Sequence, residues 1–221
     1  MQNSHPFTRP VKKVDTTPHQ LKTSHLPPKS IQSVRNGYEG TLVLGLLDAV
    51  RPGDFVVIIG SGLGITAAVA CACGGKVECY EGSEAFVKLG EKAISYFGFN
   101  AIFHHAVVGK KYRADFFGRI PNDLGEFLDA TDLPHCDVLQ MDCEGAELEI
   151  ITDMTIKPRE ILVETHGLYG ARTSEVELLL KAKGYTVTDL GLAEDRFASD
   201  CEKFDIRVLK GCNTPSNPET H

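Results

Sequence analysis

An α/β fold with a mainly parallel sheet is what this 221-residue chain predicts. Three observations carry that prediction. Short apolar runs alternate with helical patterns about ten residues long, the signature of successive βαβ units. The first run, Phe55-Val56-Val57-Ile58-Ile59, is apolar throughout, as a strand buried on both faces must be. A glycine-rich turn follows it, and ionisable residues close several of the later runs.

The elements follow in order. Residues 39–50 have a helical pattern, with Leu42, Leu46 and Leu47 on one side, broken by Pro52-Gly53-Asp54. The strand at 55–59 leads into Gly60-Ser61-Gly62-Leu63-Gly64 and a small-residue helix over 65–73, stopped by Gly74-Gly75. A strand at 76–80 ends in Glu81-Gly82-Ser83, followed by a helix over 84–97 and a strand over 102–108. Residues 110–121 are irregular, and 123–130 read as a short helix. A strand at 137–141 ends at Asp142, with a helix over 144–154 behind it. The next strand, 160–164, ends near His166, and a helix over 174–183 stops at Gly184. Strands at 185–189 and 204–209 bring the total to seven. No helix is expected between these last two, so they form a hairpin with one antiparallel strand at or near an edge.

Composition narrows the setting. Apolar residues are 42% and charged residues 24%, enough for one sizeable core. Residues 1–36 carry scattered Pro, His and Lys and read as an extension ahead of a domain over 37–221. Residues 1–38 hold six Lys/Arg and one Asp, a net +5; the remaining 17 basic and 29 acidic residues give −12. That acidic body argues against nucleic acid as a partner, because phosphate binding rewards Lys and Arg. The seven cysteines form no C-x-x-C pair, so a structural zinc site is not expected and buried free thiols are. No apolar run is long enough to span a bilayer, and a cytoplasmic location is the expectation. Homo-oligomer formation is left open.

Chemistry should sit at the carboxyl ends of the parallel strands. The turn at 60–64 admits a ligand close to the backbone, and the helix after it offers free N–H groups. Glu81, 17 residues beyond Gly64, can accept hydrogen bonds from ribose hydroxyls. The spacing is G-x-G-x-G, and Ile65 stands where a dinucleotide fingerprint has its third small residue, which points away from NAD. Asp142-Cys143-Glu144-Gly145-Ala146-Glu147 puts three acids at one strand–helix junction, more than capping requires, although Asp142 as N-cap and Glu144 on the dipole would serve that end.

With these residues assembled, the chain resembles the FkbM family of S-adenosylmethionine-dependent methyltransferases over roughly residues 37–185. The resemblance is carried by Gly60 to Gly64, Tyr80-Glu81-Gly82-Ser83, His105-Ala106-Val107-Val108-Gly109, Asp142 to Glu147, Pro158-Arg159 and Val163-Glu164-Thr165-His166. It implies a Rossmann-like class I methyltransferase fold: a mainly parallel seven-stranded sheet, a late antiparallel strand and helices on both faces. It also implies O-methylation of a hydroxyl on a sugar, glycan or small metabolite. Gly60, Ser61, Gly62, Gly64, Glu81, Gly82 and Ser83 are then expected around the cofactor's nucleoside, with Ala106 and Val107 flanking adenine and Asp142 near the methionine end.

One departure stands out. Ile58 occupies the position, two residues before the first glycine, where many methyltransferases carry an acid, so other acceptors, such as backbone carbonyls, Glu39 or Asp142, must meet the methionine amino group. His166 is the expected general base, since a neutral imidazole is poised near pH 7, with Glu144 in reserve. Tyr169 and Arg172 are expected to contact the acceptor from the loop at 167–173. No metal is required by the spacing, although Asp142, Glu144 and Glu164 are able to hold Mg²⁺. The alternatives are a nicotinamide-dependent oxidoreductase of similar architecture and a non-catalytic cofactor-binding module.

Overall fold

A computed structural model of the chain describes residues 38–110 and 123–213. The extension expected over 1–36 and nearly all of the irregular stretch at 110–121 lie outside the described residues. The elements run α1 (Gly40–Ala49), β1 (Phe55–Ile59), α2 (Ile65–Ala72), β2 (Lys76–Glu81), α3 (Glu84–Phe97) and β3 (Ala101–Val108). They continue β4 (Glu126–Leu128), β5 (Val138–Met141), α4 (Glu147–Asp153), β6 (Glu160–Glu164), α5 (Thr173–Ala182), β7 (Thr186–Leu192), α6 (Ala198–Phe204) and β8 (Arg207–Cys212).

The strands form one sheet in the order β4-β3-β2-β1-β5-β6-β8-β7. Pairing is parallel from β4 through β6, and β8 is antiparallel to both β6 and β7. The all-apolar β1 lies at the centre because both its faces are covered. Val57 and Ile59 pack into a layer with Ile150 and Ile151 of α4 and Val176 and Leu180 of α5. Val56 and Ile58 pack on the other face, with Leu42 and Leu46 of α1, Ala67 and Ala70 of α2 and Ile94 of α3. Helices on both faces follow from this two-sided burial.

Four expectations need correction. The helix expected over 123–130 is instead the edge strand β4 followed by a 3-10 turn at Ala130–Asp132. This adds an eighth strand to the seven. Glu126 and Phe127 are exposed, so their pattern lacks the alternation that marks a half-buried strand. Gly125 permits the pairing: a Cβ there would fall 2.3 Å from the His105 carbonyl oxygen. The closing hairpin is also absent, because α6 separates β7 from β8 and allows β8 to insert between β6 and β7. The antiparallel strand is therefore next to the edge, and β7 takes the edge. Finally, the helix expected from 144 starts only at Glu147, with Ala146 rather than Asp142 as its N-cap.

The switch point of the sheet falls between β1 and β5, where the chain order reverses. Three strand ends are stitched together there. The Gly60 N–H donates to the Tyr80 carbonyl at 2.9 Å, and the Asp142 N–H donates to the Ile59 carbonyl at 2.9 Å. Gly60 has φ +78°, and a Cβ on it would lie 1.7 Å from the Asp142 carbonyl oxygen. Gly60→Ala should therefore cost about 3 kcal/mol, from the clash and the left-handed φ together. A thermal melt is expected to drop by about 6–12 °C; an unchanged melting temperature would show that the turn relaxes freely.

Candidate active site

A cavity of about 540 Å³ opens at this switch point. Gly60 and Gly62 form one wall, Glu81 and Gly82 the next, and Ala106 and Val107 the floor beyond them. Asp142, Glu144, Glu164 and His166 close the side toward β6. Glu39 reaches in from the turn before α1. The glycine turn, Glu81 and Asp142 thus meet around one space.

Glu81 ties the turn to its own strand end. Its Oε2 accepts from the Gly62 N–H and its Oε1 from the Ser83 N–H, both at 3.0 Å. Each carboxylate oxygen retains a lone pair for a ligand hydroxyl. Burial raises its pKa, and these backbone donors work in the opposite direction. Ser83 therefore acts through Glu81; neither it nor Ser61 or Gly64 lines the cavity. Gly64 serves packing instead, since a Cβ there would meet the Gly90 Cα at 2.8 Å.

Ile58 is fully buried among α1 and α2, so no acid at that position could reach the cavity without disrupting the core. Glu39 supplies a carboxylate from elsewhere. It sits in a left-handed turn (φ 50°), is 6% exposed, and its Oε1 lies 3.7 Å from where a Gly62 Cβ would be. Its Oε2 is buried without a hydrogen-bond partner. Burial, followed by the charge of Asp142, pushes its pKa well above the usual carboxylate range.

The centre of the site is His166, 3% exposed. Its Nδ1 donates to Glu147 Oε1 at 2.8 Å. The same Oε1 accepts from the Gly145 N–H at 3.1 Å and the Cys143 N–H at 3.3 Å. Glu147 is fully buried, and it holds the loop in which Glu144 (φ 52°) and Gly145 (φ 99°) are both left-handed. His166 Nε2 faces Asp142 Oδ1 and Glu144 Oε2 at 3.5 Å each, and Glu164 Oε1 at 3.7 Å.

The surroundings of His166 act on its titration in opposite directions. Burial would lower the His166 pKa, but the charge and hydrogen bond of Glu147, with Asp142 and Glu144 behind them, raise it well above the ordinary value. Burial pushes Glu147 up, yet His166 and the backbone donors leave it below the normal carboxylate range. Asp142 is pushed up to about 7, chiefly by burial, and Glu164 is pushed well up for the same reason. Glu147 thus holds the His166 Nδ1–H, while Nε2 is turned toward the carboxylates of Asp142, Glu144 and Glu164.

The acceptor side also differs from expectation. Tyr169 and Arg172 do not line the cavity; Arg172 is exposed at the N-cap of α5, and Tyr169 stands 6.5 Å from His166, ring centre to ring centre. The lining comes instead from Tyr38, Phe86 and the segment 193–201, including Glu194, Arg196 and Phe197. Arg196 stacks 5.4 Å above the Tyr38 ring and pairs with Glu194 at 2.5 Å. Nothing local marked that segment, which reaches the cavity only through the β7–α6 connection. Glu147→Gln should cost about 3 kcal/mol, because it leaves the buried His166 without its counter-charge. Urea unfolding would register that loss, and a midpoint within error of the wild type would exclude the structural role given to Glu147.

Comparisons with known proteins agree with this architecture. Residues 119–187 match the family described as Methyltransferase FkbM domain. No curated protein sequence matches the chain. Among solved structures, the chain is similar to a magnesium protoporphyrin IX methyltransferase from Synechocystis PCC 6803, with S-adenosylmethionine bound, at 16% identity and TM-score 0.52, covering 85% of each chain. It is also similar to a ribosomal protein L11 methylase from Lactobacillus delbrueckii subsp. bulgaricus, at 14% identity and TM-score 0.56, covering 86% of this chain and 83% of that one. At these identities the likeness establishes the fold. Among the described residues no helix is long and apolar enough to cross a membrane. The match over residues 119–187 agrees with the family resemblance that the sequence motifs carry, and the likeness to solved structures is one of fold.

Proposed function

We propose that the cavity binds S-adenosylmethionine and that the chain methylates a hydroxyl oxygen of a sugar, glycan or other small metabolite. The observation that carries this reading is the charge of the cavity. Among the described residues, Glu39, Glu81, Asp142, Glu144, Glu164, Glu194 and Asp200 line it, against His166 and Arg196. Low-dielectric walls of one sign concentrate ligands of the other. A sulfonium and an ammonium suit that field, whereas the pyrophosphate of a nicotinamide dinucleotide would meet carboxylates where it needs donors. The buried, unpartnered Glu39 Oε2 is a second point of fit for an ammonium.

In this reading Glu81 holds the ribose, Ala106 and Val107 face the adenine, and Glu39 with Asp142 meets the methionine amino group. When bound, the cofactor supplies a methyl group that passes to the acceptor oxygen while the C–S electron pair stays on sulfur. Glu144, the most open carboxylate beside His166, takes the hydroxyl proton. Its side chain is 31% exposed, compared with 20% for Asp142 and 11% for Glu164. His166, oriented by Glu147, is a positioning residue that faces Glu144 and Asp142 through Nε2.

Calorimetric titration with S-adenosylhomocysteine and with NADH tests the binding reading. We expect saturable binding of the first and none of the second; the reverse would assign the chain to the oxidoreductases. Glu81→Ala should weaken S-adenosylhomocysteine binding about tenfold or more, as ~1.4 kcal/mol of hydrogen bonding is lost. Turnover is best sought with methyl-labelled cofactor against a panel of hydroxylated sugars and metabolites. For any acceptor found, Glu144→Gln is expected to lower kcat about 100-fold or more with the cofactor KM little changed. Full activity in that variant would move the proton acceptor elsewhere.

A further inference from the structure

We infer that Asp142, Glu144 and His166, with Glu164 as a fourth ligand, form a binding site for one divalent cation of the Mn²⁺ type. The imidazole is arranged as metal-ligating imidazoles are. Its Nδ1–H is committed to the buried Glu147 carboxylate, which fixes ring orientation and leaves Nε2 directed inward. Nε2 then faces carboxylate oxygens from three other residues at 3.5, 3.5 and 3.7 Å. Asp142, Glu144 and His166 bring ligand atoms into one small volume with Glu164 beside them, and a cation there would make that arrangement favourable.

Two further observations point to an ion. One ligand atom each from Asp142, Glu144 and His166 lies within 4.8 Å of the others. Adjacent ligands on one ion at about 2.3 Å stand roughly 3.2 Å apart, close to the 3.5 Å between Nε2 and the Asp142 and Glu144 oxygens. Glu164 is 9% exposed, lines the same cavity, and its Oε2 has no hydrogen-bond partner. A buried carboxylate oxygen left in that state is costly unless something else binds it.

The donor set selects the ion. Three carboxylates suit hard cations such as Mg²⁺, Ca²⁺ and Mn²⁺, whereas an imidazole favours first-row transition metals. Mn²⁺ satisfies both preferences, whereas Mg²⁺ is held chiefly by oxygen ligands. The open side of the set is the cavity itself, so an oxygen of the acceptor would complete the coordination. This last step rests on the methyl-transfer reading; the binding of the ion does not. The acceptor class it implies is a hydroxyl with a neighbouring oxygen, able to chelate.

The test uses the full chain after chelator treatment and dialysis. Mn²⁺ is titrated in, and the free aquo-ion signal is followed by electron paramagnetic resonance. One ion per chain is expected to bind and to raise the melting temperature. Glu144→Gln and Glu164→Gln should each weaken binding at least tenfold, with melts in the absence of metal confirming that both are folded. Glu81→Gln removes a carboxylate from the same cavity but outside the set, and should leave Mn²⁺ affinity within twofold. No saturable binding to the wild type would overturn the site. So would equal losses in Glu81→Gln and Glu164→Gln, which would mean diffuse attraction to an acidic cavity. S-adenosylhomocysteine titration of the metal-free protein separates the two proposals: nucleoside binding without Mn²⁺ binding would remove the ion site alone, and Mn²⁺ binding without nucleoside binding would remove the cofactor reading alone.

Discussion

The site depends on the buried contact between Glu147 and His166. One oxygen of Glu147 receives the His166 Nδ1–H together with two backbone N–H groups of the loop before α4. That single atom fixes the ring, the loop and the start of the helix at once. Without it, the left-handed pair Glu144-Gly145 would lose its anchor, and the Glu144 carboxylate would have no reason to face Nε2. Breaking a buried charge pair of this kind costs several kcal/mol, which is a large part of a domain's net stability.

Around this contact the fold gathers negative charge. The parallel strands deliver Glu81, Asp142 and Glu164 at their carboxyl ends, and the turn before α1 adds Glu39. Burial raises the pKa of each of these four carboxyl groups. Such crowding is unfavourable without a positive partner. A sulfonium cofactor and a divalent ion are complementary answers to the same field, one toward the glycine turn and one toward β6.

Much of this was legible in the sequence. The alternation of apolar runs and helical patterns marks all seven principal strands, because burial on two faces demands unbroken apolar residues at β1, β5 and β6. The turn at 60–64 and Glu81 could be paired by spacing alone, and the cavity brings both together with Asp142. The edge strand β4 escaped notice because an exposed three-residue strand has no periodicity. Helix α6 broke the expected hairpin because its only buried residue is Cys201, too little for an apolar stripe. Tyr169 and Arg172 lie outside the cavity lining for a similar reason: a loop's position in the chain does not say which way it folds.

By itself, the sequence determined local conformation and which residues face a core, since both follow from periodicity and from what a side chain allows its own backbone. Ile58 had to be core, and Gly60 had to turn. Only the tertiary structure decided which strand ends would be neighbours, and hence that Glu39, Glu164 and the segment at 193–201 share one cavity. It also decided the direction in which the His166 pKa moves. An imidazole's ordinary pKa belongs to the residue, but the carboxylates that shift it come from elements far apart in the chain.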